Sequence, residues 1–339
     1  MGNTPPILSR SRRTLLTAFA AGTAGIGLAA LPGAVGAQGA GAYPAKPVRL
    51  VVPFPPGGAT DLTGRLLAGK LAEVWKQTVI VENRPGASGM IGTELVAKAP
   101  ADGYTILVPI TTHIQNAAVY AKLSYDPFKD FEPISKIADS YLALCVRTES
   151  PIKTLEEFVA YGKQQGAKSA YGSFGNGSSS HIIGERFSRV AGLGLTHVPY
   201  KGASPLATDL LGGQVDSAWI DVSTATAHLQ AGKLRALAVT GARRAPMLPD
   251  VPTAGEKGYS GFEPLGWVGL MVASGTPKPI VDTISNAVQQ VMKMPDVQAR
   301  LNEQTLVPVG NLPAEFAVQL KTESAQWLKI AQDAGITPQ

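Results

Sequence analysis

Val48-Arg49-Leu50-Val51-Val52-Pro53-Phe54-Pro55-Pro56-Gly57-Gly58-Ala59-Thr60-Asp61 runs a strand directly into an anion-binding turn. Residues 48–52 are a short apolar, β-branched run that reads as a buried strand. Three prolines and two glycines stop it. From Leu62 the pattern turns helical, with Leu62, Leu66, Leu67, Leu71 and Val74 on one broad face. Thr60 or Asp61 is placed to cap that helix, whose first N–H groups have no partner within it. The glycines just ahead of those N–H groups admit an oxygen-rich ligand to the backbone, a carboxylate or another small anion. Such turns also serve as plain connections, so the ligand reading needs a second observation.

Tyr171-Gly172-Ser173-Phe174-Gly175-Asn176-Gly177-Ser178-Ser179-Ser180-His181 supplies it, with three glycines and four serines. Ile182, Ile183, Phe187 and Val190 follow at helical spacing. Backbone donors, hydroxyls and the Asn176 amide therefore collect at the start of a second amphipathic helix, where a Ser/Gly linker is a poor explanation. Two such loops, far apart in the chain, predict a ligand gripped from two sides.

The N-terminus predicts export. Arg10, Arg12 and Arg13 precede an apolar, Ala/Gly-rich stretch over 15–31, and small residues follow at 35–37 and 40–42. That is a signal peptide, 1–42, cleaved near 37 or 42. Its weak, glycine-rich hydrophobic part suits cleavage better than a lasting anchor. Ser11-Arg12-Arg13-Thr14-Leu15-Leu16 matches the twin-arginine pattern, with an ordinary Sec n-region as the alternative. The 339-residue chain is formally +5, but removing those three arginines leaves 27 basic against 25 acidic residues. Without a Lys/Arg run, nothing points to nucleic acid. Hydrophobic residues make up 45% of the chain, enough for two cores. The single cysteine, Cys145, excludes an internal disulfide and, within Tyr141-Leu-Ala-Leu-Cys-Val146, reads as a core residue.

Strands and helices alternate through the rest. Strands are expected at 78–81, 104–109, 142–146, 170–172, 196–198, 217–220 and 234–239; helices at 90–99, 154–165, 204–211, 279–292 and 313–334. This spacing predicts α/β architecture, with parallel sheets covered by helices and ligands at strand C-termini. Thr111-Thr112-His113 falls at such an end.

The chain resembles the substrate-binding proteins of tripartite tricarboxylate transporters, the Bug (Bordetella uptake gene) family. The motifs that carry the resemblance are Pro55-Pro-Gly-Gly-Ala-Thr-Asp61, Val81-Glu-Asn-Arg-Pro-Gly-Ala87, Ala101-Asp-Gly-Tyr-Thr105, Tyr200-Lys-Gly202, Asp209-Leu-Leu-Gly-Gly-Gln-Val-Asp216, Gly232-Lys-Leu-Arg-Ala-Leu-Ala238 and Leu248-Pro-Asp-Val-Pro-Thr253. The resemblance implies a type II periplasmic-binding-protein fold, two α/β lobes joined by two crossing strands. Lobe 1 would hold 43–142 and 241–339, lobe 2 would hold 143–240, and the crossings would lie at 142–146 and 237–240. It also implies a periplasmic, monomeric carrier of a small organic carboxylate, served by integral-membrane transporter subunits and needing no cofactor or metal. The implied contacts are Phe54, Pro56, Gly57, Gly58 and Asp61 in the first loop; Thr111, Thr112 and His113; Ser173, Asn176, Gly177, Ser178 and Ser179 in the second loop; and Ala203 and Asp221 on the far wall. Ile220 stands where the family often has Phe, so the shape of that wall is this chain's own.

Taken singly, Asp61 reads as a helix cap before a holder of bridging water. Asp221 suits a ligand amine or hydroxyl as well as its own turn. His113 has a better claim to the cleft than His181, while His197 and His228 read as scaffold or surface, Trp219 as core, and Tyr104 and Tyr200 as packing residues. Enzyme motifs are missing: the chain has no Gly-x-Ser-x-Gly, no His-Glu-x-x-His and no Walker A loop. The rival readings are an exported hydrolase using a serine of 173–180 with His181 or His113, and a periplasmic ligand sensor. The identity of the carboxylate is not legible, because backbone donors hold one carboxylate whatever carries it.

Overall fold

The computed structural model describes residues 43–338, so the expected export segment lies outside the described residues. In chain order the elements are β1 (Val48–Val52), α1 (Ala59–Trp75), β2 (Val79–Asn83), α2 (Met90–Ala97), β3 (Thr105–Leu107), α3 (Thr112–Val119), β4 (Phe131–Ser140), β5 (Leu142–Arg147), α4 (Leu155–Gln165), β6 (Ala170–Ser173) and α5 (Ser179–Val190). They continue with β7 (Thr196–Pro199), α6 (Ala203–Gly212), β8 (Ser217–Asp221), α7 (Val222–Gln230), β9 (Leu234–Val239), β10 (Gly266–Ala273), α8 (Lys278–Met292), α9 (Pro295–Glu303), β11 (Leu306–Pro308) and α10 (Pro313–Asp333). No described helix is long and apolar enough to cross a membrane.

Two sheets result, a six-stranded one in the order β11-β4-β10-β3-β1-β2 and a five-stranded one in the order β7-β6-β8-β5-β9. Parallel pairing is confined to β1 with β2 and β3, and to β6 with β7 and β8. β10 runs antiparallel to β3 and β4, β11 to β4, and β5 to β8 and β9. The expectation of parallel sheets is therefore corrected to mixed ones. The strands that sequence periodicity missed, β4, β10 and β11, are ones that run against their neighbours.

The first βα unit follows from its residues. β1 is buried at every residue but Arg49, and α1 packs Leu67, Ala68 and Leu71 against it. Leu62 is 42% exposed, so the buried face is narrower than the apolar spacing implies. Lys76, at φ 55°, takes the left-handed conformation that ends the helix.

The chain passes from the first sheet to the second within one residue, since β4 ends at Ser140 and β5 begins at Leu142. The return is tied to the same place. Thr240 N–H donates to the Leu142 carbonyl at 2.9 Å, and the Leu142 N–H donates to Thr240 Oγ1 at 3.0 Å. After β9 the segment 252–262 stays with the second sheet. Val239 N–H donates to the Pro252 carbonyl and Ala254 N–H to the Val239 carbonyl, each at 2.9 Å, Gly241 N–H donates to the Phe262 carbonyl at 2.8 Å, and the Phe262 ring stacks on Trp219 with centroids 6.0 Å apart. Trp219 is a core residue, 1% exposed. Cys145 is fully buried in β5, and burial pushes its thiol up to about 12. α10 packs on α3 and β4 and also on α5, so the C-terminal helix touches both layers.

Candidate functional site

The loop 53–58 is shaped from beneath by Asp61. Its carboxylate, 2% exposed, accepts from the Gly57 N–H at 2.9 Å, from Arg65 Nε at 3.0 Å and from Asn83 Nδ2 at 2.9 Å. Burial alone would raise its pKa, but the hydrogen bonds from Arg65, Gly57 and Asn83 outweigh that and hold it below the usual carboxylate range. Gly57, at φ +89°, turns the backbone as glycine readily does. Asn83 Nδ2 also donates to the Phe54 carbonyl at 3.1 Å, fixing the other end of the turn. Asp61 is thus the anchor of the loop, and neither it nor Pro56 and Gly57 lines the cavity that the loop borders.

The second loop is held the same way. Ser178 is the N-cap of α5, accepting from the His181 N–H at 3.2 Å while its hydroxyl donates to the Gly175 carbonyl at 2.6 Å. Ser173, fully buried, lies 2.7 Å from His197 Nε2, and Gly177 N–H donates to His181 Nδ1 at 3.2 Å. The rings of His181 and His197 stack at 4.2 Å with 19° between their planes, and Tyr171 stacks on the other side of His197 at 5.0 Å. Burial lowers His181 to about 4, and burial plus its neighbour lowers His197 to about 3. Both are scaffold for the loop. With Glu185 they bring potential metal-ligating atoms within 4.8 Å of one another. Ring nitrogens bind a metal in the ring plane, and two nearly parallel stacked rings cannot aim at one ion.

Between the loops lies a cavity of about 60 Å³. Its walls are helix starts. α1 contributes Gly58, Ala59 and Thr60, α3 contributes Thr111, α5 contributes Ser179, α6 contributes Gly202, Ala203 and Ser204, and Asp221 precedes α7. Phe54, Phe174 and Trp267 supply aromatic surface, and Ser140 a hydroxyl. Among the described residues no Lys, Arg or His lines it, and Asp221 is the one ionisable side chain there. Helix N-termini carry partial positive charge and unpaired N–H groups, the chemistry that suits an anion.

Of the residues expected at the site, Phe54, Gly58, Thr111, Ser179, Ala203 and Asp221 line this cavity. Pro56, Gly57, Asp61, Ser173, Gly177 and Ser178 frame it. Asn176 lines a second, wider hollow on the outer side of Phe54 and Phe174, with residues 85–89, Tyr120 and 199–202. Thr112 and His113 belong to neither. Strand β3 ends at Leu107 and α3 starts at Thr112, so His113 turns inward, 4.8 Å from the Phe131 ring and 2.9 Å from the Pro127 carbonyl. Burial lowers His113 to about 4. Ser140, Gly266, Trp267 and Val268 were missed because β4 and β10 were not read as strands. Trp267 N–H donates to Thr111 Oγ1 at 2.8 Å, which is what brings that wall to the cleft.

The two sides also touch directly. Ser179 Oγ accepts from Gln115 Nε2 at 2.9 Å and donates to Gln115 Oε1 at 3.1 Å, linking α5 to α3. Ser88 Oγ donates to the Asn176 carbonyl at 2.5 Å.

A model of the tripartite tricarboxylate transporter family receptor matches residues 63–336. The chain belongs to this family. The solved periplasmic binding protein BugD is 36% identical, with a TM-score of 0.83 over 88% of this chain and 100% of that one. An R. palustris protein solved with adipate is 36% identical, with a TM-score of 0.85 over 88% and 100%. MatC from Rhodopseudomonas palustris, with bound malate, is 33% identical, with a TM-score of 0.81 over 85% and 100%. The receptor of the tripartite tricarboxylate family seen here therefore has the two-lobed fold of periplasmic binding proteins, and its family is one of binding proteins rather than enzymes.

Proposed function

We propose that this receptor is exported to the periplasm, captures a small carboxylate between its two lobes and delivers it, as a monomer, to the membrane subunits of a tripartite tricarboxylate-type transporter. The observation that carries the reading is the cation-free cavity at which helix starts from both lobes converge. Backbone N–H groups there offer a carboxylate charge-assisted hydrogen bonds without the desolvation of a Lys or Arg. Adipate and malate in two similar structures support the ligand class. Phe54, Gly58, Thr111, Ser179, Ala203 and Asp221 are the proposed contacts, with Pro56, Gly57, Asp61, Ser173, Gly177 and Ser178 as their frame. Lobe boundaries near residue 141 and again after Phe262, where the chain leaves the second sheet for β10, complete the proposal in place of a return at residue 240.

The hydrolase alternative lacks a serine that both lines the cavity and has a base, since Ser179, which lines it, is bonded to Gln115. Ser173 is the serine with a histidine partner, but it is fully buried and absent from the cavity wall. Ser178 spends its hydroxyl on Gly175. A nucleophile must reach its substrate, and neither does.

Calorimetry with a panel of mono- and dicarboxylic acids and their methyl esters tests the proposal. Hydrogen bonds to a charged acceptor are each worth about 1.5–3 kcal/mol, so an ester that loses two should bind at least ~100-fold more weakly than its acid. Equal affinity for acid and ester, or steady turnover of the ester, would overturn it.

A further inference from the structure

The inner cavity holds a contradiction in charge. It is built to receive an anion, yet the one ionisable side chain on its wall is a carboxylate, and no cation lines it. Asp221 receives a single side-chain hydrogen bond, from Ser140 Oγ at 3.3 Å, and as the residue before α7 it makes no cap bond. Two carboxylates enclosed together without a cation cannot both stay ionised, because each raises the other's affinity for a proton. Helix starts can offset one negative charge, but a second needs its own neutralisation.

We propose that Asp221 takes up a proton when a small carboxylate enters the cavity and, as the neutral acid, faces the bound anion, so that capture is proton-linked. This rests on the reading of the cavity as a carboxylate site. A carboxylic acid gains a donor that a carboxylate lacks, and the protonated Asp221 turns a repulsive wall into a hydrogen-bonding one. Selectivity follows. Ligands without a cationic group depend on that proton, whereas an α-amino acid carries its own countercharge and binds Asp221 in the ionised form.

The surroundings supply no substitute charge. On β4, Asp139 is paired with Lys136 at 2.7 Å, and Tyr141 sits in the turn that follows. At the opposite end of β8, Asp216 accepts from Ser169 and Ala170 at 3.0 and 2.9 Å. On α5, His181 is committed to Gly177, and on α7 His228 lies in the last turn. On α1, Asp61 is turned to Arg65, and α6 presents Asp209 two turns from its start. Burial pushes Asp221 up to about 6, with no charged neighbour contributing.

The sign of the linkage is fixed by this. Below pH about 6 Asp221 is already protonated and binding takes up nothing. Above it, each unit of pH should weaken binding about tenfold until the pKa of the complex is reached, with close to one proton taken up per ligand. The experiment is calorimetry of wild-type protein with unsubstituted monocarboxylates of about four to six carbons, in buffers of different ionisation heat from pH ~5.5 to ~8.5. Asp221→Asn, whose amide keeps a donor, should bind the same acid with flat affinity over this range and no uptake. Uptake that persists in Asp221→Asn places the proton elsewhere and overturns the proposal. So does wild-type binding with no uptake and flat affinity, which would leave the carboxylate-carrier reading standing. Failure of every acid to bind overturns both.

Discussion

Gly58 separates folding from function more cleanly than any other residue of the site. It sits at φ −85° as the N-cap of α1 on the cavity wall, and a Cβ added there meets nothing within 4 Å. Gly58→Val should therefore cost no more than about 1 kcal/mol of stability, the loss of a good N-cap residue with no packed neighbour disturbed. The isopropyl group should nevertheless occupy the space of the ligand and reduce acid binding by at least ~100-fold, the loss of two charge-assisted bonds. Thermal melts and calorimetry read the two effects independently; normal binding would remove the first loop from the anion site. The neighbouring residues show what sequence alone conveys at this scale. Gly58, Ser179 and Asp221 were legible because a helix start after a glycine or serine turn has a fixed chemistry. His113 was not, because its direction depends on where β3 stops, and the polar triplet Thr111-Thr112-His113 looks the same on a strand end as on a helix start. The pairing of His197 with Ser173 was hidden as well. It depends on the register of β6 against β7, which sets Tyr171 opposite His197 across a span of sequence that no local pattern reports.

Among the elements, α5 bears most directly on the site, since its first turn forms the second loop and its body must lie flat on β6. Gly184 is what allows this. A Cβ there would stand 2.2 Å from the Tyr171 ring, and the ring has little freedom, being stacked on His197 and bonded through its hydroxyl to Glu185 at 2.7 Å. Gly184→Val should destabilise the protein by about 1–3 kcal/mol through overpacking, with a further loss of acid affinity as α5 is pushed off the sheet. Urea unfolding with unchanged slope would check the first part; unaltered stability would show that the helix floats on its sheet. Elements of this βα kind were read correctly from periodicity, including β1, α1, α4, β6, β9, α8 and α10. β4 escaped because Glu132, Pro133 and Lys136 break its alternation, and β10 because a continuous apolar run interrupted by Gly269 has no period. Missing these two strands turned a mixed sheet into an expected parallel one and removed the Trp267 wall from view.

For the whole molecule, the contacts between the lobes decide how firmly the cleft is held. The Gln115–Ser179 pair is fully buried on the glutamine side and spends both amide atoms on one hydroxyl. Gln115→Ala removes both bonds, each worth about 1 kcal/mol net, and should shift the balance of lobe positions toward separation. Small-angle scattering of the variant without acid should give a larger radius of gyration than wild type, and acid affinity should fall by roughly 10–30-fold, the equivalent of about 2 kcal/mol. Identical scattering and identical affinity would mean that the pair is incidental to closure. In the proposed two-lobe arrangement, the place where Tyr141 meets Gly241 would lie at the axis of such a motion. Gly241, at φ +105°, has the Tyr141 ring within 2.8 Å of where a side chain would begin, so the two passages between lobes are packed against each other at one point.

The solitary thiol of Cys145 has a practical bearing on that motion. Buried in β5 and with its pKa pushed up to about 12, it offers maleimide dyes almost no thiolate at neutral pH. Any cysteine introduced on the rim of the cleft would therefore be the reactive one, without first stripping the native residue from the core. A donor and acceptor dye placed on opposite lobes would then act as a ruler on single molecules, turning the arrival of each acid into a change of colour.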